Sequence, residues 1–212
     1  MKNIAIYGAG GFSREVACLI NLINKQSPTW DLIGFYDDNP NLRGTTNDYG
    51  VVLGGIDDLN QYDGDLAIVI AIGNPTTVKK IVDCISNDNI YFPNLLAPDV
   101  VFMDEKNFTI GQGNIICSKC WFSCNVSVGD FNIFNVGVIV GHDACVGSYN
   151  SFMPSVNISG EVVIGDVNFF GVASVVLQQK KIGCNTVIGG NSLIIKNTKD
   201  GRTYMGNPAS AL

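Results

Sequence analysis

A period of six in the second half of the chain limits its fold more than any other feature. Stepping by six from Ile110 gives Ile110, Ile116, Phe122, Val128, Phe134, Val140, Val146, Phe152, Ile158, Ile164, Phe170, Val176, Ile182, Ile188 and Ile194, all large and apolar. Chance gives such a run on the order of 10⁻⁵ for one fixed phase. The next residue is often glycine: Gly111, Gly129, Gly141, Gly147, Gly165, Gly171, Gly183 and Gly189. Four places on, the side chain is mostly small or an amide, as at Val138, Ala144, Asn150, Ser174, Thr186 and Ser192. Six is no helical period, but it is three times the strand period of two. Each hexad therefore reads as a short strand plus a tight corner, with one side chain always facing inward. Three hexads close one triangular coil, and coils stack ~4.8 Å apart. The corner glycines are expected to relieve backbone strain where φ is positive. Less regular hexads begin around residues 95–101, and no long insertion interrupts 110–195.

The first half alternates strand and helix. Residues 2–7 read as a buried strand leading into Gly8-Ala-Gly-Gly11, then a helix with Val16, Leu19, Ile20 and Ile23 on one face and Ser13 as its cap. A strand at 32–36 ends in Asp37-Asp38, and one at 66–72 ends in Gly73-Asn74 before a helix at 76–86. A short strand at 90–92 hands over to the repeat. This pattern implies a small parallel α/β sheet that binds ligands at the carboxyl ends of its strands. Gly8 and Gly10 match two glycines of a dinucleotide fingerprint, but Ser13 holds the third position, and nothing else suggests hydride transfer. The division expected is 1–94 for a Rossmann-like domain and 95–212 for the coil.

Composition narrows the function. With 13 Lys+Arg against 19 Asp+Glu the net charge is −6, which argues against nucleic acid as the main partner. Apolar residues make up 46% and charged ones only 15%, which excludes a disordered chain. No apolar run reaches the ~20 residues of a membrane span. The start lacks a signal-peptide pattern, so a cytoplasmic protein with reduced thiols is expected. Cys117, Cys120 and Cys124 are spaced loosely like metal ligands but fall on different faces, so no metal is expected.

Tyr7-Gly-Ala-Gly-Gly11, Gly34-Phe-Tyr-Asp-Asp38, Ala71-Ile-Gly-Asn74, Val140-Gly-His-Asp143 and Gly206-Asn-Pro-Ala209 follow one another along nearly the whole chain. In these stretches the sequence resembles the hexapeptide-repeat sugar-nucleotide acetyltransferases. That family includes the bacillosamine and perosamine N-acetyltransferases and the sialic acid O-acetyltransferases. The resemblance implies a left-handed parallel β-helix of about five to six coils, acetyl-CoA as co-substrate and a homotrimer. It further implies N-acetylation of a nucleotide-linked amino sugar of the 4-amino-4,6-dideoxyhexose type, for lipopolysaccharide or another bacterial surface glycan. O-acetylation of a sugar or sialic acid, or a non-catalytic nucleotide-sugar-binding solenoid, are the alternatives.

Carried over residue by residue, Gly8, Gly10, Gly11, Asp37, Asp38, Gly73 and Asn74 would hold the nucleotide sugar. The family often has Gly-His-Gly after the glycine turn, where this chain has Phe12-Ser13-Arg14. His142, the one histidine, lies two places after inward Val140 and should face outward beside a corner. Imidazole suits the removal of a proton from an attacking amine, and Asp143 could orient it. One coil on is Gly160, whose N–H could donate to the thioester oxygen. Gln178 and Lys196 continue the column, and Lys180, Lys181, Lys199 and Arg202 add positive charge suited to the phosphates of coenzyme A.

Overall fold

The structure, a computed structural model, describes residues 1–212. Its first part is a six-stranded sheet in the order β3-β4-β2-β1-β5-β6. The strands are β1 (Lys2–Tyr7), β2 (Trp30–Tyr36), β3 (Thr46–Asn47), β4 (Gly50–Gly54), β5 (Leu66–Ile70) and β6 (Ile90–Tyr91). All neighbours are parallel except the β3–β4 hairpin. Ile4 to Tyr7 and Leu66 to Ile70 are buried on both faces, as continuous apolar runs in parallel strands should be.

Helix α1 (Gly11–Gln26) buries Val16, Leu19 and Ile20 against the sheet. Ser13 does not cap it. The chain turns into the helix at Gly10, three residues earlier than a serine cap requires, so Ser13 is buried and its Oγ donates to Ala71 O at 3.4 Å. Helix α2 (Ile56–Asn60) and the β3–β4 hairpin occupy a segment with no clear periodicity in sequence. Helix α3 (Pro75–Cys84) starts with proline, and Asn74 Oδ1 accepts from Thr77 N at 3.0 Å as its cap.

From Leu95 to Ile194 two-residue strands stack into three parallel sheets, the faces of a triangular prism, and the longer strands Thr203–Gly206 and Ala209–Ala211 extend the first of them, paired antiparallel with each other. Strands at Ile115, Ile133, Ser151, Phe169 and Val187 line the first face, those at Trp121, Ile139, Asn157, Val175 and Leu193 the second, and those at Ser127, Cys145, Val163 and Lys181 the third. Register advances by 18 residues per coil, as in Ile133 against Ser151. Every member of the six-residue series from Ile116 to Ile194 is buried. Phe134, Phe152 and Phe170 stack down the interior with centroids 4.8 and 4.6 Å apart.

The corner glycines have a different role from the one expected. Positive φ falls on other residues, including Asn125, Phe131, Asp143, Val167 and Gln179, and not on Gly111, Gly129, Gly147, Gly165 or Gly183. Those five sit where coils touch: a Cβ on Gly147 would come within 2.7 Å of Gly165 O. Close approach, not conformation, demands glycine there.

The corner between the third and first faces is tied from coil to coil by side-chain hydrogen bonds. Inside, Asn114, Asn132 and Asn150 form a ladder: Asn132 Oδ1 accepts from the N–H and the Nδ2 of Asn150 at 2.9 and 3.0 Å. Outside, Asp130, Ser148, Asp166, Cys184 and Asp200 each accept the backbone N–H one coil earlier.

The two parts share a core. Ile115 and Ile133 point outward from the first face into the cluster holding Ile4, Ile6, Leu19 and Phe35. On the other flank Phe131 packs on Phe92 and stacks on Tyr149, over which Lys79 of α3 sits 5.5 Å from the ring centre.

Candidate active site

His142 and Asp143 form the corner between the second and third faces, both side chains about half exposed. Adjacent side chains on a strand diverge, but Asp143 takes φ +58°, and this turn brings its Oδ2 to 2.8 Å from His142 Nδ1. The hydrogen bond to His142, and after it one from Asn125, hold the Asp143 carboxyl below the usual carboxylate range. With that carboxylate ionised, Nδ1 is the nitrogen that donates to it, which in the neutral ring leaves the lone pair on Nε2.

The ring lies across Gly160, one coil on. A Cβ at 160 would meet His142 Nε2 at 2.5 Å and Cε1 at 2.6 Å, so only glycine leaves room for the imidazole. Gly141 brings the coils together at the same place, since its own Cβ would fall 2.5 Å from Gly160 N. The neighbouring third–first corner shows what this arrangement leaves open. There a side chain from the next coil accepts each second-position N–H; here the side chain one coil on is Gln178, which makes no hydrogen bond to Gly160, and the N–H of buried Gly160 has no acceptor in the chain. A buried, unpaired backbone donor is rare and marks a place where a ligand atom can take it. It lies beside the free Nε2.

Gln178 and Lys196 continue this column and are exposed, as is Lys181, with Lys180 partly covered. None of these lysines is paired with a carboxylate. Cys124 precedes His142 in the column but makes no hydrogen bond to it. Cys117 and Cys120 are covered, and burial pushes their thiols up to about 12 and about 11, so neither is a ready thiolate. No group of three or more His, Cys, Asp or Glu side chains is placed to hold a metal.

The first-half candidates gather at the carboxyl ends of β1, β2 and β5, where Gly8, Asp37, Asp38 and Asn74 also have structural work. Gly8 takes φ +105°. Asp37 Oδ2 accepts from Ala9 N at 2.9 Å, tying the glycine turn to β2. Asp38 Oδ1 accepts from Tyr7 Oη at 2.7 Å and Ile56 N at 3.0 Å. That bond, added to burial, raises the Tyr7 phenol far above its ordinary value. Gly10, Gly11 and Gly73 face open space or a distant side-chain end.

Two clefts flank these loops. One of about 260 Å³ is acidic, lined by Asp37, Asp38, Asp57, Asp58 and Arg43 among others. The other, about 320 Å³, is uncharged and lies between the α3 start and the solenoid, among Asn74, Thr76, Phe169, Asn185 and Val187. His142 lines neither cleft and lies on a different prism edge. Sequence reasoning missed Asn185, Phe169 and Thr76, which no motif marks. It also missed Asn125, which a step of 18 back from Asp143 would have found.

Comparison with known proteins gives the same architecture. Residues 3–85 match the PglD N-terminal domain. The acetyltransferase domain of PglB from Neisseria gonorrhoeae FA1090, also solved with acetyl coenzyme A, is 26% identical, with all of both chains covered in the uncomplexed form and a TM-score of 0.87. WeeI from Acinetobacter baumannii AYE is 29% identical, again over all of both chains, at 0.88. PerB from Caulobacter crescentus, solved with CoA and GDP-perosamine, is 21% identical over all of this chain and 98% of PerB, at 0.80, and shows the fold. A search of curated proteins gave no match. No helix is long and apolar enough to cross a membrane. In fold and full-length likeness the chain is therefore similar to acetyltransferases of the hexapeptide-repeat type, with residues 3–85 matching the PglD N-terminal domain ahead of a left-handed β-helix.

Proposed function

We propose that this acetyltransferase moves the acetyl group of acetyl-CoA to the amine of a nucleotide-linked 4-amino-4,6-dideoxy sugar. The observation that carries the mechanism is the free Nε2 of His142 beside the unpaired N–H of Gly160. The amine nitrogen attacks the thioester carbonyl carbon, and the oxygen gains negative charge facing the Gly160 N–H. His142 Nε2 takes the proton that the amine loses. As the C–N bond completes, the C–S bond breaks and the thiolate of CoA leaves, taking the proton from the imidazolium. Asp143 stays ionised and stabilises the charged ring. Transfer is direct, since no cysteine is hydrogen-bonded to the imidazole.

Gln178 and Lys196 run down the column from Gly160, and with Lys180 and Lys181 they suit a coenzyme laid along it with its phosphates toward the C-terminal coils. Gly8, Gly10, Gly11, Asp37, Asp38, Gly73 and Asn74 take the nucleotide sugar. Because those loops and His142 lie on different edges of one prism, a complete site needs a second copy. Val101, Trp121 and Ile139 stand exposed along the second face and suit contact between copies, which we read as a homotrimer.

The test is an acetyl-transfer assay and thermal-shift screen with UDP-, GDP- and dTDP-linked amino sugars and their hydroxyl counterparts, with and without CoA. Acetylation of an amino sugar, lost in a folded His142→Ala variant, supports the proposal. Transfer only to hydroxyls, or near-normal turnover without His142, rejects it. Light scattering that finds a monomer rejects the shared site.

A further inference from the structure

Asn125 occupies the corner one coil before Asp143, at the same left-handed position, φ +54° against +58°. Its Nδ2 donates to Asp143 Oδ1 at 3.1 Å, while Asp143 Oδ2 holds His142 Nδ1 at 2.8 Å. The backbone links the same two corners, Asp143 N donating to Cys124 O at 2.9 Å. The terminal torsion of an aspartate is soft, so a single hydrogen bond leaves the carboxylate free to swing. Anchoring both oxygens fixes its plane.

Conformation alone does not account for the asparagine. Lys119, Phe131, Tyr149 and Val167 hold the same left-handed corner elsewhere in the solenoid. Further along the column Gln179 pairs with Glu161 at 3.2 Å, so that hydrogen bond draws Glu161 toward the next coil. Among these corner pairs, the Asn125–Asp143 contact is the one that reaches the histidine. The other titratable groups nearby are Cys124 and Glu161 on the adjoining corners and Cys145 on the following strand, and none is hydrogen-bonded to the ring.

We infer that Asn125 is a positioning residue for the transfer, holding the Asp143 carboxylate so that His142 keeps its proton on Nδ1 and presents Nε2 to the substrate. The role in transfer rests on His142 being the base; the Asn–Asp–His chain itself does not.

The chain has one histidine, so a ¹⁵N spectrum of the whole protein contains one imidazole. Asn125→Gly keeps the backbone conformation and removes the amide. Asn125→Asp keeps the shape but sets a second carboxylate against the first. At pH 8.5 the Gly variant should shift neutral His142 from the Nδ1–H toward the Nε2–H tautomer. It should lower kcat roughly three- to tenfold, with the KM for acetyl-CoA little changed. The Asp variant should be no better than Gly. An unchanged tautomer in both variants overturns the inference, as does an Asp variant that recovers what Gly loses. The spectrum is read without turnover, so it stands apart from His142→Ala, which tests the base.

Discussion

Replacing Gly160 by alanine should abolish most activity while leaving the fold almost intact. The φ of Gly160 lies outside the left-handed region, so alanine adds no backbone strain there. The new methyl would lie 2.5 Å from His142 Nε2, 2.6 Å from Cε1 and 3.0 Å from Cδ2, so the ring must leave. Because the imidazole is about half exposed, it can swing into water at a cost of about 1 kcal/mol or less, which moves Tm by roughly 2–4 °C. On the proposed mechanism catalysis then loses its base, worth about 10²- to 10⁴-fold. The assay is CoA release followed by chromatography, for Gly160→Ala, His142→Ala and the double variant. In the double variant the methyl has no ring to displace, so its rate should lie close to that of His142→Ala alone. Near-normal turnover by folded Gly160→Ala would refute the reasoning. So would a double variant far below His142→Ala, because the methyl would then act on something other than the ring.

Other perturbations separate the remaining roles. The Asp143 carboxyl is held low, so its contribution is present above the ordinary carboxylate range and is lost only as pH falls through its lowered value. Asp143→Asn should therefore lower the plateau of the kcat profile about tenfold or more; a plateau equal to that of the unaltered protein would remove Asp143 from the mechanism. Asn150→Ala removes the acceptor for buried Asn168 N and the donor to Asn132, and should cost about 2–4 kcal/mol in urea unfolding. Lys180→Ala, Lys181→Ala and Lys196→Ala together should raise the KM for acetyl-CoA several-fold and weaken its dependence on salt, with kcat little changed.

The solenoid was largely legible because its signal is periodic and its burial alternates with it. Ile116 through Ile194 repeat the inward position, and adding 18 to His142 led directly to Gly160 and Lys196. The glycines at 129, 147 and 165 were legible as corners but not in their role, since contact between coils is a three-dimensional fact that local φ preferences do not encode. The actual left-handed residues, such as Phe131 and Val167, are types that intrinsic preference disfavours, held there by coils on either side. In the first half, long apolar strands such as Ile4–Tyr7 stood out, while β3, β4 and α2 are too short to show a period. Ser13 was misplaced because a glycine cap leaves no side-chain signature. The pairing of His142 with Asp143 needed the corner geometry to be known, and Asn125 acts through a neighbour 18 residues away.

The shared core beneath α1 has a mechanical result. With Ile115 and Ile133 seated among Ile4, Leu19 and Phe35, the small domain cannot swing away without baring a large apolar surface, so it rides at one level on the prism. Height along the axis then comes in whole turns of ~4.8 Å. Turn number becomes a ruler, and a variant lengthened or shortened by one turn beyond Ile133 would carry His142 to a new distance from the unaltered loops at Gly8, Asp37 and Gly73.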